Sequence, residues 1–307
     1  MTKKQREIES VLNIAKENGL RLKYEGADIN ETGMDFQVVF AEDDSGMTWV
    51  LRKPRRPDVI DRAAAESGVL AFLRSHAAVA VPDWRIHTPE LIAYPKLDGI
   101  PAAAIDLDKK QYVWNMEHEP PSDGFVGSLA ASLAELHGAD PDAASRSGIE
   151  IIKPDDVRQR AAESMDHIKK EIGVSEPLWK RWQTWINDSS YWPDFSALIH
   201  GDLHPPHILI GENQRVTGLL DWTEAKVADP AKDFVLYQVI LGEKETKRLM
   251  KSYEAEGGRV WPKMQEHVTE WQAAYPVETA KFALQTGQEE HMQMARDMLG
   301  LSNPKGY

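Results

Sequence analysis

The stretch "LIHGDLHPPHILI", residues 198–210, sets His200, Asp202, His204 and His207 between aliphatic flanks. Imidazole and carboxylate groups at this density suit a zinc ligand set, a proton-transfer loop, or a polar turn whose histidines are satisfied internally. Zinc sites are most easily built from ligands four residues apart on one helix face. Here Pro205 and Pro206 disrupt helical geometry, and the segment has no H-E-x-x-H pattern. The spacing also suits phosphoryl transfer, because Asp202 stands five residues before His207 and nineteen before Asp221. That reaction needs one carboxylate to accept a hydroxyl proton and ligands to hold magnesium against nucleotide phosphates. The stretch alone leaves all three readings open.

Such groups need rigid elements to hold them. "HILI" and "RVTGLLDW" read as two strands joined by the turn "GENQ", so the histidine-rich segment is a loop leading into a hairpin, with Asp221 near its far end. Upstream, "MDFQVVF" (34–40) and "MTWVLRK" (47–53) form a second expected hairpin around "AEDDSG", stopped by Pro54 and Pro57. A helix is expected from Asp61 to Arg74, apolar at Val69, Leu70, Phe72 and Leu73. "ELIAYPKLDGIP" (90–101), a short strand broken by proline and glycine, is the expected hinge. Beyond it the chain reads as mainly helical. Phe125, Leu129, Leu133 and Leu136 mark one buried face, and Leu178, Trp182 and Trp185 another. The fold class is therefore α+β: a small β-rich lobe over 1–97, hinge included, and a larger helical lobe over 98–307.

Composition narrows the partners. The chain has 307 residues and no cysteine, which excludes disulfides and thiolate metal sites and fits a reducing cytosol. Acidic residues outnumber basic ones, 49 to 36, for a formal charge of −13. That field disfavours nucleic acid and would suit a cationic small molecule, although it also serves solubility. The N-terminal "MTKKQREIESVLNIAKENGL" is a charge-rich amphipathic helix without the apolar core of a signal peptide. No apolar run reaches the roughly 20 residues that span a bilayer. A cytoplasmic monomer with no membrane partner is expected.

Taken together, "TWVLRKPRRP", "AVPDWR", "ELIAYPKLDG", "SSYWPDFSALIHGDLHPPHILI", "RVTGLLDWTEAKVADP" and "YEAEGGRVWP" resemble the aminoglycoside-phosphotransferase-like branch of the protein-kinase fold. More narrowly, they resemble macrolide 2′-phosphotransferases. The resemblance implies a bilobal protein-kinase-like fold and a GTP-dependent enzyme that inactivates macrolide antibiotics. It implies Asp202 as catalytic base, and His207 and Asp221 as ligands to Mg2+. Arg52 would contact phosphates, braced by Glu66, and main-chain groups around Ala93, Tyr94 and Leu97 would meet the purine. Lys53 competes with Arg52, since strand alternation puts the two on opposite faces. An acidic mouth and an apolar helical wall would suit the substrate, with Tyr237, Trp271 and Phe282 as wall candidates. A kinase of another small amino alcohol, an aminoglycoside or a choline-like amine, is the alternative within the fold.

The sequence departs from the kinase pattern in three places. Histidine stands at position 207 where that pattern has asparagine, and imidazole is an unusual ligand for magnesium. D-F-G is reduced to "DWT". The N-terminal lobe has only "NETGMDF" (30–36), with one glycine, in place of a Gly-rich phosphate loop.

Overall fold

Alternating apolar positions in the first hundred residues build a sheet covered on both faces. The computed structural model describes residues 2–30, 33, 35–106, 108–109 and 111–301, so Glu31, Thr32 and Met34 of "NETGMDF" lie outside the described residues. The chain opens with α1 (Lys3–Glu17), begun by a reciprocal capping box between Thr2 and Gln5. Strands β1 (Asp28–Asn30), β2 (Phe36–Glu42) and β3 (Thr48–Pro54), helix α2 (Asp58–His76), and strands β4 (Ile86–His87) and β5 (Ile92–Pro95) follow. The strands form one antiparallel sheet in the order β1-β2-β3-β5-β4. Side chains alternate across it with period two. Val39, Leu51 and Ala93 face Ile8, Val11 and Ala15 of α1, while Val50, Ile92 and Tyr94 face Val59 and Ala63 of α2. Helix α2 is three residues longer at its start than the pattern suggested, and two longer at its end.

The chain leaves this lobe through β6 (Ile100–Pro101), and β7 (Ala103–Asp106) and β8 (Gln111–Trp114) form a hairpin that the helical reading of this region did not anticipate. Helices α3 (Asp123–His137), α4 (Pro141–Arg146), α5 (Pro154–Glu171) and α6 (Glu176–Asn187) come next. Then come β9 (Ala197–Ile199), β10 (Ile208–Ile210), β11 (Val216–Leu219) and β12 (Lys226–Ala228). The C-terminal part is helical: α7 (Lys232–Ala255), interrupted at Gly242, then α8 (Met264–Ala273), α9 (Pro276–Thr286) and α10 (Glu289–Met298).

Helix α3 is the spine of the larger lobe. Phe125, Leu129, Leu133 and Leu136 are buried as expected, and full burial of such a side chain is worth about 1.5–3 kcal/mol. Trp182 and Trp185 are buried in a second cluster with Ala280 and Leu299, so they are core residues. β10 pairs with both β11 and β6, which fastens the strand after the hinge to the hairpin carrying the histidine loop. Among the described residues, no helix is long and apolar enough to cross a membrane.

Candidate active site

The loop between β9 and β10 turns sharply at Gly201. Its φ is +84°, and a Cβ there would meet the Glu224 carbonyl oxygen at 2.6 Å, so only glycine fits. A buried carboxylate holds the turn from below. Asp233, on the first turn of α7, accepts the main-chain N–H groups of His200 (2.9 Å) and Gly201 (2.8 Å). It also accepts His137 Nε2–H at 3.1 Å, and His137 Nδ1 in turn meets the Tyr253 hydroxyl at 3.0 Å. Burial would raise the Asp233 carboxyl, but it is held below the usual carboxylate range, with the hydrogen bonds from His137 and the Gly201 amide among the groups that lower it. His200 is fully buried and burial lowers its pKa, so it stays neutral. Its Nε2–H donates to the Leu220 carbonyl (2.9 Å) and its Nδ1 accepts the Asp202 amide (3.3 Å). Both ring nitrogens are occupied, which removes His200 from any metal set.

Asp202, His207 and Asp221 meet above this base. A carbonyl can only accept, so the 3.0 Å contact of His207 Nδ1 with the Asp202 carbonyl fixes the tautomer with Nδ1 protonated. The lone pair on Nε2 is then free, 3.7 Å from Asp221 Oδ2. His207 Nδ1 is 3.6 Å from Asp202 Oδ2. Asp221 adopts φ +60°, a left-handed conformation uncommon for aspartate, and its Oδ1 accepts the Thr223 hydroxyl at 2.6 Å. Burial pushes the Asp221 carboxyl up, but it stays below the ordinary aspartate range, with the Arg52 charge and the Thr223 hydroxyl bond among the groups that lower it. A carboxylate oxygen and a free imidazole nitrogen at this separation fit a divalent cation bound at about 2.0–2.2 Å.

His204 belongs to the same cluster. Asp202, His204 and His207 offer ligand atoms within 4.8 Å of one another. The Nδ1 bond of His207 nevertheless turns its free nitrogen towards Asp221, away from such a triad. His204 Nε2 is 3.9 Å from Asp202 Oδ2, its Nδ1 is 3.4 Å from the Tyr112 hydroxyl, and burial drops its pKa to about 4.

The choice between Arg52 and Lys53 is decided by the face on which α2 packs. Arg52 shares the face of Val50 and is 7 % exposed, whereas Lys53 is on the other face. Arg52 Nη1 reaches both oxygens of Glu66, at 3.1 and 3.2 Å, with its guanidinium 4.0 Å from the Phe36 ring centroid. Burial disfavours its charge, but Glu66, Tyr94 and Asp221 more than compensate, so Arg52 stays protonated.

At the hinge, the Ala93 carbonyl accepts from Arg85 and the Lys96 amide donates to Thr48, both at 2.8 Å. Among the described residues, the Leu97 amide has no hydrogen-bond partner. Tyr94 is buried against α2, with its hydroxyl pushed up to about 12 by burial. Gly99, φ +103°, lies where a Cβ would be 2.5 Å from Thr217 Oγ1 and 2.8 Å from the Ile210 carbonyl oxygen.

Asp202 and Gly201 open onto a cavity of about 590 Å³. Its wall is largely apolar, with Val157, Met165, Leu236 and Val277 among the lining residues. Trp271 lines it too, its indole N–H held by buried Asp229 at 2.8 Å. Neither of the other two aromatic wall candidates lines it. Tyr237 points into the core and is 5 % exposed, and Phe282 lies on the outer side of α9 against His291. The expected acidic mouth is also corrected: Arg160, Lys226, Lys232 and Lys281 line the cavity beside Asp202, Glu224 and Glu278. Net charge is a sum over the whole surface and does not fix the sign of one cleft. Sequence reading missed Asp233 and Lys232. The two aspartates of "ADPAKDF", at the start of a helix amid apolar residues, were the available signal for the first.

Comparison with known proteins agrees with this geometry. A model of the phosphotransferase enzyme family matches residues 28–267. The "uncharacterized protein YcbJ" of Bacillus subtilis is 66% identical over 296 residues, covering 96% of this chain and 97% of that one. The apoenzyme of the macrolide 2′-phosphotransferase MphH from Brachybacterium faecium superposes with a TM-score of 0.90 at 39% identity, covering 98% of this chain and 99% of its own. A type I macrolide 2′-phosphotransferase gives 0.87 at 38% identity, with 99% of each chain covered. The fold is thus the bilobal kinase-like one, and the chain belongs to the phosphotransferase enzyme family.

Proposed function

We propose that the protein transfers the γ-phosphoryl group of GTP to the 2′-hydroxyl of the amino sugar of a macrolide antibiotic, and so confers resistance. The observation that carries this reading is the placement of Asp202, beside His207 and Asp221, at a 590 Å³ cavity with an apolar wall. A pocket of about 300–1,000 Å³ takes a drug-sized molecule, and the apolar stretch of this wall suits a large apolar frame carrying one reactive hydroxyl. Asp202, half-exposed and held by its rigid turn, accepts the proton of that hydroxyl as the oxygen attacks phosphorus. His207 Nε2 and Asp221 would hold Mg2+, which supplies charge neutralisation for the phosphates when bound. Arg52, oriented by Glu66, donates to phosphate oxygens, and the Leu97 amide, with main-chain neighbours from Ala93 onward, meets the guanine. Nucleotide then lies between a lobe of residues 1–97 and one of 98–307. We further assign the protein to the cytoplasm as a monomer.

The test is direct. Purified protein is incubated with GTP or ATP, magnesium, and a panel of macrolides, aminoglycosides and choline-like amines, and products are read by mass spectrometry. Phosphate gained on macrolides, with GTP preferred, is the expected result. Phosphate gained only on another amino alcohol would replace this reading with that one.

A further inference from the structure

Four cationic side chains line the cavity, and three already have acidic partners. Lys226 pairs with Glu224 at 3.4 Å, Lys281 with Glu278 at 3.0 Å, and Arg160 with Glu150 at 2.9 Å. Lys232 differs: among the described residues, no carboxylate lies within 4.0 Å of its ammonium and no hydrogen bond reaches it. Its ammonium stands over the face of Trp271, with Nζ 4.3 Å from the ring centroid. That indole is clamped by Asp229, so the ring beneath the ammonium is held in place on the cavity wall.

The placement is poor for stability in three ways. Lys232 is the first residue of α7, where the helix dipole disfavours positive charge. It is half-buried, and burial pulls its ammonium below the ordinary lysine range. Lys226 and Lys281 repel it, and although Asp229 and Glu278 attract it without touching it, the balance stays below the ordinary lysine range. An ammonium half-buried in a cavity wall, with its acidic neighbours out of contact, is placed where a ligand can complete it.

We propose that Lys232 is a ligand-contacting specificity residue, donating to an acceptor oxygen, a carbonyl or carboxylate, carried on the apolar body of the molecule in this cavity. The assignment rests on the functional reading above for the location of the acceptor-substrate cavity. It sets that substrate's chemistry: an acceptor oxygen on an apolar frame, lying over the Trp271 face.

The test compares wild type with Lys232→Met and Lys232→Arg, using anilinonaphthalene sulfonate as an apolar anionic probe in fluorescence titrations and thermal melts. A charge-assisted hydrogen bond is worth roughly tenfold or more in affinity, so Lys232→Met should lose about that factor for the probe. Its Tm should hold or rise by about 1–3 °C, because the strained charge is gone. Lys232→Arg should keep affinity within about threefold of wild type. In the macrolide assay, KM for the macrolide should rise by about tenfold in Lys232→Met while kcat and KM for GTP stay put. Equal probe affinity in wild type and Lys232→Met, or a lower Tm for that variant, would overturn the assignment. Probe binding that depends on Lys232, with no macrolide phosphorylated by wild type, would instead sink the functional reading and leave the lysine's role standing.

Discussion

Glu66 accepts the main-chain N–H of Trp222 at 3.3 Å, a bond between α2 of the small lobe and the segment that follows Asp221 in the large lobe. The same carboxylate carries both Arg52 bonds, so one buried group aligns the candidate phosphate cation with the candidate metal ligand. Replacing Glu66 with alanine should therefore cost more than an ordinary ion pair. Breaking a buried pair from one side typically costs about 3–5 kcal/mol. Chemical denaturation should show a loss of that size in Glu66→Ala, with KM for GTP raised in whatever protein remains folded.

The neighbouring positions on β3 should behave very differently. Arg52→Ala strands the Glu66 carboxyl in the core, and nucleotide use should fall with stability. Lys53→Ala removes a charge from the opposite face, where such groups are worth about 0–1 kcal/mol. A Lys53 variant as damaged as the Arg52 variant would refute this assignment of roles.

At position 207, the protonated Nδ1 leaves Nε2 as the available ligand atom. Asparagine keeps an oxygen donor there and alanine does not. Magnesium titrations of activity should shift to about 10–100-fold higher metal in His207→Ala, and less in His207→Asn. Identical metal curves for wild type and both variants would mean that His207 only packs the loop.

Asp202→Asn preserves shape but cannot take a proton. General-base assistance is worth roughly 10²- to 10⁴-fold, so kcat should fall by about that much. KM for GTP should change little, because the nucleotide contacts proposed above lie elsewhere. Wild-type turnover by folded Asp202→Asn protein would remove Asp202 from the chemistry.

The buried Asp233 carboxylate predicts an acid limb of stability. Its pKa is lowered in the folded protein, so its contribution is fully present above the unfolded aspartate value of about 3.9 and is lost as pH falls through the lower folded value. Thermal melts from pH 7 down to about 3 should show Tm falling at the acid end. Asp233→Asn should be less stable than wild type at neutral pH, and the gap should narrow as pH drops. A gap that stays constant across this range would show that the ionised carboxylate is not what holds the loop.

What the sequence determined by itself was local. Period-two alternation placed the β2–β3 hairpin, and "GENQ" placed the turn between β10 and β11. Asp202, His207 and Asp221 could be singled out because they lie on one loop-hairpin unit, where spacing along the chain translates directly into proximity. Tertiary structure decided everything that depends on which faces meet. Alternation says that positions 52 and 53 point apart, but only the packing of α2 against Val50 and Ile92 shows that Arg52 is inside. Trp271, Tyr237 and Phe282 are all aromatics on C-terminal helices. Their separate fates in cavity wall, core and surface follow from helix rotations that no local pattern encodes. The Asp233–His137 bond spans 96 residues, and the Lys232–Trp271 contact likewise joins two helices. The chain's −13 charge is an additive property legible from composition, whereas the mixed lining of the cavity, with cations from α5, β12, α7 and α9, arises from those elements converging on one hollow. Charge counts add along a chain, but the field in a cleft is set by distance, and only folding sets distance.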